Sequence, residues 1–100
     1  MSEKIYDEQI APKLLELAAI CKENKIPFIA TCEYEPDSLG STFAWLDFEK
    51  GQGSVAMLMN YVSVMAKGNV DNFAINLLKW SKKLNIDYTQ TLFLKRFTVN

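Results

Sequence analysis

The sequence predicts one α+β domain spanning residues 1–100, of element order α-β-β-α-α-α, with an antiparallel β-hairpin packed against a helical bundle. Three patterns point there. Residues 7–24 and 70–84 repeat apolar side chains at helical spacing. Residues 27–34 and 41–48 alternate them with period two, and residues 54–67 are apolar on nearly every side. A hydrophobic share of 49% in 100 residues is enough to build a core, and no linker, repeat or low-complexity run divides the chain.

The first helix places Ile10, Leu14, Leu17, Ala18 and Cys21 on one face, with Lys13, Glu16 and Glu23 opposite. Pro12 suits a first helical turn, so the regular helix starts near Ala11 or the chain kinks there. Asn24, Lys25 and Pro27 end it. In the strand that follows, Phe28, Ala30, Cys32 and Tyr34 face one way and Ile29, Thr31 and Glu33 the other. Residues 35–40 are rich in turn formers, and the strand 41–48 pairs back across a loop longer than the tight two-residue type. A lone hairpin is marginal in water, so one face must lie on a helix or on another subunit.

Residues 49–53 read as a flexible connector, and Ser54 as the N-cap of the apolar helix. On that helix Asn60, Ser63 and Lys67 form one polar stripe. Leu58, Val62 and Met65 lie opposite, flanked by Met57 and Val64 on one side and by Met59 and Ala66 on the other. The segment also alternates enough to read as a strand; its length and aligned polar stripe favour helix. Gly68 stops it as a C′ glycine. In the next helix Val70, Phe73, Ala74, Leu77, Ser81 and Leu84 make the buried stripe, with Asn76, Lys79 and Lys82 on the wet side. Asp87-Tyr88-Thr89-Gln90 resembles a capping box opening a last helix through Phe97, although the same residues suit a strand.

A helix that is apolar nearly all round must be covered on several sides, and a chain this short has little else to cover it. The expectation is a homodimer, with Met57, Met59, Tyr61 and Val64 as the self-association surface. Composition narrows the chemistry further. Net charge is -1 and there is no histidine, which removes the commonest general base and metal ligand. Cys21 and Cys32 lack the spacing of a zinc site and read as free thiols in a reducing compartment. The start of the chain is polar, and the apolar run 55–66 is too short to cross a bilayer. A cytoplasmic protein is expected, with no membrane contact, no cofactor and no metal.

Charge is uneven. Residues 1–50 carry five Lys against ten Asp and Glu, while residues 51–100 carry five Lys and one Arg against two Asp. The hairpin region holds Glu33, Glu35, Asp37, Asp47 and Glu49, which suit either a solvated face or a dock for a basic partner. The spacing of a calcium loop is absent, and alternating strand positions beside a solvated loop are a poor place for an acid/base pair. Lys79, Trp80, Lys82, Lys83 and Arg96, with Tyr88 and Lys95, mix charge and rings as single-strand nucleic-acid binders do. The plain reading is a tryptophan bordering the core beside solvating lysines. Gly51 and Gly53 lack the companions of a P-loop or a dinucleotide fingerprint.

Three stretches bear on family: Ile26-Pro27-Phe28-Ile29-Ala30-Thr31 with Glu33 beyond it, the apolar helix, and Gly68-Asn69-Val70-Asp71. In this order and spacing, over residues 10–95, the chain resembles small, mostly uncharacterised accessory proteins encoded in phages and prophages. The resemblance carries over no catalytic or binding residue. It implies a protein that binds a host macromolecule, in some cases to block a defence system. The function expected is therefore a small non-enzymatic interaction protein that modulates a host protein partner. The alternatives are a nucleic-acid-binding accessory protein and a module with a small-ligand or nucleotide pocket between hairpin and helix.

Overall fold

Pro12 shapes the first element. In a regular helix its ring meets the carbonyl four residues back, and its missing N–H leaves that carbonyl unbonded. The chain widens one turn before the proline. In the computed structural model, which describes residues 2–85, α1 (Ser2–Ile5) runs into a π-turn over Tyr6–Ile10 and on into α2 (Ala11–Glu23). Ile5, Ile10 and Ala11 all hold right-handed helical backbone, so the three segments form one rod. The regular helix thus restarts at Ala11, but helical chain begins at Ser2, earlier than residue 7. Its buried stripe is narrower than expected. Tyr6 and Ala18 are buried, whereas Ile10 and Leu17 stay 37% and 49% exposed.

After α2, β1 (Phe28–Glu35) and β2 (Ser38–Ala44) pair antiparallel from Phe28 opposite Ala44 to Glu35 opposite Ser38. Tyr34 is the extra residue of a bulge between Glu33 and Glu35. Only Pro36 and Asp37 separate the strands, which corrects the longer loop expected from sequence. Proline presets its own φ, and Asp37 tolerates the left-handed conformation at φ 63, so two residues suffice. The Asp37 N–H donates to Glu33 Oε2 at 3.1 Å.

β2 also ends sooner than residue 48, because Trp45 turns left-handed at φ 52 and leaves the sheet. Asp47 and Gln52 then exchange backbone hydrogen bonds, each 2.9 Å, across a 3-10 turn at Phe48–Lys50. Residues 49–53 therefore close a hydrogen-bonded loop and are not a flexible connector. Left-handed Gly51, at φ 76, closes that turn.

Ser54 caps α3 (Val55–Ala66) as expected, its Oγ accepting from the Met57 N–H at 3.3 Å. Lys67 and Gly68, at φ 51 and 84, stop the helix. Asn69 caps α4 (Val70–Lys83) through a bond from the Asn72 N–H at 2.9 Å. The line that α3 buries is Leu58, Val62 and Ala66, spaced by four, and not the expected Leu58, Val62 and Met65: Met65 is 50% exposed. On α4, Ala74, Leu77 and Ser81 are buried, but Val70 is 69% exposed at the open first turn. Leu58, Val62 and Leu77 form the core, with Phe48, Tyr61, Phe73, Leu78, Trp80 and Leu84 packed around it.

The hairpin joins the two helical regions by its opposite faces. On one, Tyr6 stacks on Tyr34 at 5.1 Å and its ring covers Gly40. On the other, Phe43 meets Tyr61 at 5.5 Å. The result is α+β, drawn out to 50 × 33 × 16 Å. Cys21 and Cys32 are free and half-buried. The expected last helix, 87–97, lies outside the described residues.

Candidate interaction surfaces

The five acidic residues divide into two groups. Glu33, Glu35 and Asp37 are exposed at the end of the hairpin, brought together by the bulge and the two-residue turn. None of the three has an ion-pair partner among the described residues. Asp47 and Glu49 lie beyond the strand, on the 3-10 turn, and have structural duties there. The Asp47 carboxylate accepts from the Lys50 N–H at 3.3 Å, capping the turn. Glu49 Oε1 pairs with Lys83 Nζ at 3.0 Å, which ties the turn to the end of α4.

The residues expected for self-association are mostly engaged within the chain. Tyr61 sits between Phe43 and Phe48, with ring centroids 5.5 and 5.6 Å away. Met57 and Val64 are half-buried, and Met59 alone of the four is exposed, at 48%.

The basic patch is also partly spoken for. The Trp80 ring meets Phe48 edge-on at 5.7 Å, and Lys83 Nζ stands 5.2 Å over its centroid. Base stacking needs a free ring face, and here a lysine that is itself paired with Glu49 occupies one. Lys79 and Lys82 are exposed on the outer side of α4. Arg96, with Tyr88 and Lys95, lies outside the described residues.

Where hairpin and helix meet there is a hollow of about 280 Å³, lined by Glu33, Asp37, Leu39, Lys67 and Gly68. Two carboxylates against one ammonium suit a cationic group better than a nucleotide's phosphates. No group of three or more His, Cys, Asp or Glu among the described residues is placed to hold a metal ion. Nor is any described helix long and apolar enough to cross a membrane.

One surface was missed in the sequence. Ile10, Leu17 and Ile20 run along the rod at 37%, 49% and 54% exposure, with Leu15 at 63% and Ile26 at 50% nearby. Leu15 and Ile20 fell outside the predicted buried stripe. The available signal was that the helix carries apolar residues on more faces than one hairpin covers.

Compared with protein-family models, curated proteins and solved structures, the chain matches none.

Proposed function

We propose that this chain is a small non-enzymatic interaction protein, phage-derived as its resemblance implies, that acts in the host cytoplasm. It docks the acidic end of its hairpin onto a basic surface of a host macromolecule and modulates it, as an inhibitor of a defence system would. The reading rests on one observation: Glu33, Glu35 and Asp37 are exposed together at the hairpin end with no ion-pair partner among the described residues, whereas Asp47 and Glu49 each lie within ion-pair distance of a lysine. An exposed cluster with an excess of one sign of charge raises the encounter rate with a complementary patch and disfavours partners of like charge.

The test is a paired substitution that removes charge without disturbing the turn. Glu35→Lys lies on the exposed strand face, and Asp37→Asn keeps a residue that tolerates left-handed backbone. Tagged wild-type and E35K/D37N proteins are used to capture partners from the native host at low and at moderate salt. A protein partner held by the wild type, weakened by salt and absent from the folded variant supports the reading. A partner held equally by both removes the acidic dock.

A further inference from the structure

We infer that the outer face of α2 is a self-association surface, and that its occupant is a second copy of this chain, packed antiparallel across a twofold axis. This goes beyond the host-partner reading and stands or falls separately from it. Ile10, Lys13, Leu17, Ile20 and Asn24 follow one another at intervals of three and four, the spacing of a helix–helix seam. Every one of them is exposed. The exposed apolar residues of α3 do not line up in this way: Val55, Met59 and Met65 lie on both sides of its buried line.

Among the described residues no element covers this face: Leu17 and Ile20 stay 49% and 54% exposed.

Charge selects the occupant and its direction. In a parallel pair, Lys13 would meet the Lys13 of the second copy inside the seam. Reversing the second helix about a point midway between Leu17 and Ile20 puts each Leu17 on the other copy's Ile20. It also sets Lys13 beside Glu23 and Asn24 of the other copy, and Ile10 near its Ile26. The face is thus complementary to itself in one orientation.

The experiment is mass by light scattering from about 5 to 500 μM, on the full chain, with circular dichroism to report folding. The wild type is expected to reach twice the chain mass, and L17K/I20K to stay at one chain mass with an unchanged melting temperature when dilute. K13E alone should weaken the dimer at least fivefold, and K13E/E23K should restore it, since both positions are exposed and neither bears on folding. A wild type that stays monomeric at 500 μM overturns the inference, as it must if the chain's own residues 86–100 cover the face. So does an L17K/I20K protein that still dimerises. Failure of E23K to rescue K13E overturns the antiparallel register.

Discussion

The two helical regions put their apolar side chains to different ends. Around α3 and α4 the side chains converge: Leu58 is fully buried, Val62 and Leu77 nearly so, and four aromatic rings close over them. Along the rod of α1, the π-turn and α2 they diverge, and only Tyr6 and Ala18 are buried while Leu15, Leu17 and Ile20 face outward. Burial stabilises at about 25 cal/mol per Å² removed from water, so the first region holds the fold and the second leaves apolar area unspent. Apolar sequence content therefore does not mark the core. What marks it is whether another element is close enough to cover the face.

The largest expected effect tests that contrast directly. Leu58→Ala leaves a cavity in the only cluster of buried core residues described, and should lower unfolding free energy by about 2–5 kcal/mol. Leu17→Ala, on the exposed rod face, should cost under about 0.5 kcal/mol when measured by urea unfolding in dilute solution. Similar losses at the two sites would break the comparison.

A middle-sized effect lies where the rod touches the hairpin. Tyr6 is held between Tyr34 and the bare backbone of Gly40, and a Cβ at residue 40 would enter the Tyr6 ring. Gly40→Ala should cost about 1–3 kcal/mol by forcing that ring out of its stack. In a Tyr6→Ala background most of the cost should vanish, because the clash has lost its partner. A cost that persists there would mean that the strand, and not the rod, demands glycine.

How much of this was legible in the sequence follows from the range of each cause. The α+β order, the Ser54 cap and the glycine-stopped end of α3 came from local patterns and local hydrogen bonds, whereas the Asn69 cap of α4 did not. Strand ends were misplaced because they depend on single left-handed residues. Nothing in the composition of 41–48 announces that Trp45 adopts φ 52. The buried line on α3 runs through Ala66 at 7% exposure and not through Met65 at 50%, because a spacing of four from Leu58 and Val62 lands on Ala66. For the candidate surfaces the limit was pairing at a distance. Glu49 and Asp37 look alike in sequence, yet one meets Lys83 from α4 and the other does not.

The smallest effect asks whether the polar rim of the α3–α4 region shares in its stability. Lys83 pairs with Glu49 at 3.0 Å and covers the Trp80 ring at 5.2 Å, but the two side chains of the pair remain 56% and 57% exposed. An ion pair that wet contributes about 0–1 kcal/mol, and an exposed cation over a ring about 0.5–1 kcal/mol. Lys83→Met keeps the length of the stem over the ring and removes the charge, so unfolding free energy should fall by about 1 kcal/mol or less. The difference should shrink between 0.02 and 0.5 M salt as screening weakens the pair. Glu49→Gln should give a similar loss, and the double variant less than the sum, because both remove the same contact. A loss near that of Leu58→Ala would mean that this region is held together at its rim as much as at its centre, and the contrast with the rod would then rest on charge and not on burial.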